Sequence, residues 1–235
     1  MKHTKHISAA ALAVAALFGS INAASANLIV NASVGGAPTG ANYVNFNNLA
    51  LGNAGGMSGG IGVAFTSGDS QAVQGALSGK YAAPYLSGGN GALFGDPTNG
   101  PDATTYLSTG IGSVTLTLPN ATNYFGLLWG SVDSYNSLEL FNGSKLVATV
   151  TGTDVTANAN GNQGASGTYY VNISDDVAFN KVELSSSQYA FEFDNVSYGK
   201  AAAIPEPGAL ASFGAGLLAL GFLAWCRRSP ATRKL

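Results

Sequence analysis

Two sets of oxygen-bearing side chains stand out in this sequence. Asp96, Pro97, Thr98, Asn99, Gly100, Pro101 and Asp102 form a compact loop. In it Asp96, Asn99 and Asp102 offer the carboxylate and amide oxygens that calcium takes from glycine-bent loops. Turn chemistry alone selects the same residue types, so the loop also reads as a turn without an ion. Asp133, Asn136, Asp194 and Asn195 make a second, sparser oxygen set. The other chemistry open to the chain is glycoside cleavage, which needs an acid and a base or nucleophile about 5–10 Å apart. Asp133, Glu139, Glu192 and Asp194 are the carboxylates available for such a pair. Against that use, Glu139 and Glu192 alternate with apolar neighbours, the pattern of strand residues that face water.

Other catalytic classes are ruled out by what is missing. Both histidines, His3 and His6, and the one cysteine, Cys226, lie near the two ends, so residues 27–203 hold neither imidazole nor thiol. A zinc site is thereby excluded, and a serine nucleophile lacks its usual base. No spacing singles out a Ser–Lys pair with Lys80, Lys145, Lys181 or Lys200. The glycine-rich stretch from Gly52 to Gly62 has no Lys or Ser/Thr in phosphate-loop spacing and reads as a flexible loop. The same 27–203 stretch carries four lysines against eleven acids, a net charge of −7. No nucleic-acid partner is expected, because phosphate binding needs clustered cations. Trp129, Tyr81, Tyr85 and Tyr106, with the many asparagines, are the side chains with which a sandwich would hold sugar rings. Trp129, however, ends the apolar run from Tyr124 and is expected in the core.

Strands must position these groups. Short runs of β-branched and aromatic residues recur from Leu28 to Val34, Tyr43 to Leu49, Ile61 to Thr66, Val114 to Leu118 and Tyr124 to Trp129. They continue from Leu138 to Phe141, Leu146 to Thr151, Tyr169 to Ile173, Val182 to Leu184 and Tyr189 to Tyr198. Gly and Asn clusters separate the runs, and no window sustains helical periodicity. The expected fold is all-β, an antiparallel, jelly-roll-like β-sandwich over residues 27–199, followed by an alanine-rich linker at 200–203. Asn142–Gly143 marks a hairpin: a two-residue turn would place Lys145 opposite Leu140, whereas a three-residue connection, the expected one, sets Leu140 beside Leu146 and Leu138 beside Ala148 on one face. Tyr189, Phe191 and Phe193 share one strand face, but Val196 and Tyr198 fall on the opposite parity, which predicts a bulge around Asp194 and Asn195.

Both ends read as addresses. Lys2 and Lys5, an apolar run from Ile7 to Phe18, and a small-residue site ending Ala24, Ser25, Ala26 form a secretory signal peptide over 1–26, cut after Ala26. At the other end, residues 208–226 carry no charge and span roughly 28 Å as a helix, enough to cross a bilayer once. Arg227 and Arg228 follow at once, so positive-inside bias puts the 229–235 tail in the cytoplasm and the folded portion outside. Before the span stand Ile204, Pro205, Glu206 and Pro207. The prolines hold this tetrapeptide extended, where a processing enzyme can grip it.

The order Pro205-Glu206-Pro207, apolar span, Arg227-Arg228 resembles the PEP-CTERM sorting signal of bacterial surface proteins over residues 204–228. The resemblance implies exosortase as partner. The span would anchor the chain transiently in the inner membrane of a Gram-negative-type bacterium before cleavage near the tripeptide. Tyr124 to Asn136 and Phe191 to Val196 also resemble β-sandwich ectodomains found ahead of such tails, which implies a cell-surface or extracellular protein of unknown ligand. The expected function is therefore non-enzymatic: an exported surface or matrix protein, structural or associated with exopolysaccharide, needing no cofactor beyond the calcium option. The alternatives are a secreted polysaccharide-acting enzyme using a carboxylate pair, and a permanently anchored single-pass protein.

Overall fold

The computed structural model describes residues 27–40, 42–66, 69–97 and 99–200. The expected signal peptide, and everything from the expected sorting signal onward, lie outside the described residues. Among those described, no helix is long and apolar enough to cross a membrane.

The described chain is built of antiparallel strands. They are β1 (Ile29–Ser33), β2 (Asn42–Val44), β3 (Gly56–Ser58), β4 (Ile61–Phe65), β5 (Ser70–Val73), β6 (Tyr85–Leu86), β7 (Gly100–Pro101) and β8 (Tyr106–Thr109). After these come β9 (Gly112–Gly130), β10 (Asn136–Asn142), β11 (Lys145–Thr151), β12 (Tyr169–Ser186) and β13 (Phe191–Gly199). The one α-helical element among the described residues is a single turn, α1 (Gly152–Val155). Eleven strands form one continuous sheet whose main path runs β11-β10-β12-β9-β13-β8-β5, and β6 and β7 pair apart from it.

Two long strands make this sheet sandwich-like. The sequence marks two apolar runs in β9 and two in β12, but each pair of runs belongs to one strand, of 19 and 18 residues. Residues 112–117 of β9 pair with 181–186 of β12, and this leaf is extended by β4 on one side and β10 on the other. Residues 124–129 of β9 pair with 169–174 of β12, and β13 and β1 extend this second leaf. Between the two, the register shifts around Phe179, and such irregularities bend a sheet. Leu116, Leu140 and Val182 from the first leaf join Leu127, Trp129 and Phe193 from the second in one buried cluster. The rings of Trp129 and Phe191 stack with centroids 4.2 Å apart.

Three local readings are tested by the register. The bulge on β13 is present: Asp194 pairs with Leu128 and Ser197 with Gly126, so one extra residue stands on β13, with Asn195 at φ 50°. The expected three-residue hairpin is corrected. Asn142 pairs with Lys145 across a Gly143-Ser144 turn, Leu140 pairs with Ala148 and Leu138 with Val150. Gly143, at φ 61°, takes the left-handed position, and a bulge next to Leu140 restores the apolar face that the tight turn alone would misplace. The Gly52–Gly62 loop is likewise corrected, since part of it is the β3–β4 hairpin. Its turn residues Gly59 and Gly60 sit at φ 53° and 85°, as a tight hairpin turn with two left-handed positions requires.

The two leaves differ in what covers their outer faces. On the first leaf Glu139 and Glu183 stand opposite each other, half-buried, as alternation predicts. On the second leaf the outward residues Tyr124, Leu128, Tyr170, Glu192 and Asp194 are buried. Thr39 and Gly40 lie against Tyr124, and the chain between β5 and β8 lies over the rest, with Leu86 and Phe94 packing on Leu128 and Tyr170 in a second apolar cluster. That cover turns a face that would otherwise meet water into a site.

Candidate functional site

β13 carries two acids on its covered face, Glu192 and Asp194, and each belongs to a different polar group. Strand alternation puts both opposite Phe191 and Phe193, which face the core. Glu192 opens into a cleft of about 520 Å³ between the 76–81 segment, the end of β9 and the 160–163 loop. Asp194 lies deeper, under the β6–β7 cover.

In the cleft, the Ala82 amide donates to Glu192 Oε1 at 2.9 Å and the Ser131 hydroxyl donates to Glu192 Oε2. Ser131 achieves this at φ 37°, a left-handed conformation that costs a non-glycine residue about 1–2 kcal/mol. Burial pushes Glu192 up to about 7, against these hydrogen bonds and helped by the negative charge of Asp133. Asp133 lines the same cleft and accepts a 2.6 Å hydrogen bond from the Tyr135 hydroxyl. Its pKa is raised by burial and lowered by that bond. Lys80, Tyr81 and Tyr189 form the opposite wall, with the Lys80 ammonium 4.0 Å from the Tyr189 ring centre and 3.5 Å from Asp69 Oδ1. Hydrogen bonding to Tyr189 is the main influence raising the exposed Lys80.

The second group joins Asp96, Asp102 and Asp194. One carboxylate oxygen from each lies within 4.8 Å of the others, and all three residues are buried. Asn47 donates to Asp96 Oδ1 at 3.4 Å, and Thr104 donates to Asp102 Oδ1 from its amide at 2.8 Å and its hydroxyl at 2.6 Å. Among the described residues, Asp96 Oδ2, Asp102 Oδ2 and both oxygens of Asp194 accept no hydrogen bond. Burial raises Asp96, and raises Asp194 strongly, with the Asp102 charge adding to the latter. The ion pair found among the described residues, Lys80 with Asp69, involves none of the three.

Several sequence expectations change here. Asp96 and Asp102 do come together and Asp194 joins them, while the third calcium candidate, Asn99, is exposed. The second oxygen set splits. Asp133 lines the cleft, Asp194 joins the cluster, and Asn136 is satisfied by Ser186 and the Ala190 carbonyl. Of the possible carboxylate pairs, Asp133 and Glu192 line one cleft, while Glu139 stands on the first leaf. Glu192 does not face water, being 2% exposed. Trp129 is in the core and Tyr106 is fully buried, so of the four aromatics only Tyr81 lines the cleft. Ser131, Tyr135 and Tyr189 line the cleft without a sequence signal of their own, whereas the F-E-F-D alternation of 191–194 places two acids on one face. Pro205, Glu206, Pro207, Arg227 and Arg228, with the cleavage residues Ala24 and Ala26, lie outside the described residues.

No curated protein matches the chain. One solved structure, the enzymatically active domain of bacteriophage CBA120 tailspike protein 4, aligns with 67% of this chain and 19% of its own at 14% identity and a TM-score of 0.23. The chain thus spans about a fifth of that domain, and so shallow a likeness carries nothing over. At the C-terminus the agreement is direct: residues 203–228 match the PEP-CTERM protein-sorting motif, which implies processing by exosortase. This chain is therefore an exported protein that carries a PEP-CTERM sorting signal.

Proposed function

We propose that the jelly-roll-like ectodomain is a non-enzymatic, polysaccharide-associating module of the cell surface or extracellular matrix, and that its ligand lies in the Asp133–Glu192 cleft. The observation that carries this reading is the cleft's lining. Two carboxylates accept hydrogen bonds, while the exposed Asn160 and Gln163 amides both donate and accept, beside the rings of Tyr81, Tyr135 and Tyr189. A polyhydroxylated chain offers the matching donors and acceptors. With seven net negative charges on the 27–203 stretch, an anionic glycan is repelled, so the ligand is a neutral or amino-sugar polysaccharide.

The test uses the full chain purified in detergent and passed over immobilised dextran, chitosan and alginate. Retention is expected on dextran or chitosan and not on alginate. Asp133→Asn should weaken it about 10- to 100-fold, the effect of losing a hydrogen bond to a charged group, without shifting the thermal midpoint. Retention on neither dextran nor chitosan, or retention indifferent to Asp133→Asn, removes the reading.

A second reading is a polysaccharide-acting enzyme, favoured by the shared cleft of Asp133 and Glu192 and by nothing else. It requires the release of reducing ends from one of the same glycans, abolished by Glu192→Gln. The leading reading expects no release from the unmodified chain.

A further inference from the structure

We propose that Asp96, Asp102, Asp194 and the side-chain oxygen of Asn195 bind one calcium ion, which ties the segment covering the second leaf to β13. The three carboxylates would not suffice alone. The independent observation is Asn195: it is 0% exposed, its amide lies beside the Asp96 carboxylate, and neither amide atom completes a hydrogen bond among the described residues. A buried amide without partners costs about 1–3 kcal/mol, so its position calls for a ligand that the protein's own groups do not supply.

The β-bulge explains how two neighbouring side chains reach the same point. Regular alternation sends Asp194 and Asn195 to opposite faces, whereas the extra residue and the φ of 50° at Asn195 re-aim its side chain toward the acids. Val196 then returns to the core.

The donor chemistry selects the ion. All the ligands are oxygens, with no imidazole or thiolate in the domain, which disfavours zinc and later transition metals. Two oxygens bound to one calcium at 2.3–2.6 Å are at most about 5 Å apart, and the three carboxylate oxygens lie within 4.8 Å. Asn47 and Thr104 occupy one oxygen each of Asp96 and Asp102 and leave the other free to coordinate. Asp194 has both free, as a bidentate ligand requires. Magnesium, which keeps several waters in a strict octahedron, fits a buried cluster of this kind less well.

The consequence is mechanical. Asp96 and Asp102 flank the β7 segment of the cover and Asp194 belongs to the sheet, so the ion crosslinks parts of the chain about 90 residues apart. Residues 27–203 have no cysteine with which to make a disulfide do the same.

The test is calorimetric titration of the full chain in detergent with calcium chloride and, separately, magnesium chloride after removal of metal by chelator. Binding of one calcium is expected. At a hundredfold excess over its Kd, the thermal midpoint should rise by about 5–10 °C, and less with magnesium. Asp194→Asn should abolish the calcium response yet be at least as stable as the unmodified chain in chelator, because it removes a buried charge. A merely structural aspartate would lose stability under both conditions. Should that variant fail to fold, Asp96→Asn is expected to show the same pattern. Absence of calcium binding by the unmodified chain, a midpoint unmoved by chelator, or an equal response to magnesium overturns the assignment.

Discussion

Replacing Trp129 with alanine is expected to lower unfolding stability by about 3–5 kcal/mol, the usual cost of removing a large aromatic side chain from a packed core. The total stability of such a domain is about 5–15 kcal/mol, so this variant sits at the edge of folding. The reason lies in its neighbours: Trp129 is 0% exposed, stacked on Phe191, and paired across strands with both Tyr169 and Phe193. Urea denaturation followed by circular dichroism measures the loss. The outcome also separates two roles for this ring. An exposed sugar platform would lose affinity for glycan and less than about 0.5 kcal/mol of stability, whereas a core ring loses stability first. A Trp129→Ala chain with an unchanged urea midpoint would show that the second leaf is not packed as described.

The second large effect is expected at the other end of the chain. Changing Pro205 and Pro207 together to alanine should leave the apolar span attached to the exported protein. Each proline costs about 3 kcal/mol inside a helix, and together they oppose helix from Ala201 through Leu210. With both removed, that stretch consists largely of alanine, leucine and glutamate, all strong helix formers. A helix running out of the membrane would present exosortase with no extended segment to grip. Intact mass measured on protein from membrane and extracellular fractions reads the result. The unmodified chain should lose its C-terminal span and the variant should retain it in the membrane. Identical masses and partition for the two would show that the prolines do not set the processing conformation. Retention of the span by the unmodified chain as well would favour permanent anchoring.

Much of the strand content was legible before any coordinates, because a half-buried antiparallel strand writes its period into the residues. The alternation of Phe191, Glu192, Phe193 and Asp194 identified the core face, and the parity change at Val196 placed the bulge around Asp194 and Asn195. The turn at Gly143 was found, but its register was not. A bulge compensates for a shorter turn, so that Val150 is buried opposite Leu138 and Leu146 is left exposed. Short strands such as β5 and β8 escaped notice, since four residues leave too little pattern to separate them from loop.

The site was harder to read for a different reason. Asp96 and Asp102 share a loop and could be paired by spacing, but their partner Asp194 lies about 90 residues away, and local composition carries no trace of that distance. Glu192 looked like a solvent-facing strand acid because alternation tells which face a side chain occupies, not whether another segment lies over that face.

The chain's export, its sorting signal and its all-β character were determined by the sequence itself, because each depends on contiguous residues: an apolar run, a tripeptide, a period of two. The tertiary structure alone decided that the outer face of the second leaf is buried and that its acids divide into a cleft and a sealed cluster. Those outcomes depend on where the 74–105 segment comes to rest. Its resting place is set by the packing of Leu86 and Phe94 on Leu128 and Tyr170, contacts between residues remote in the chain.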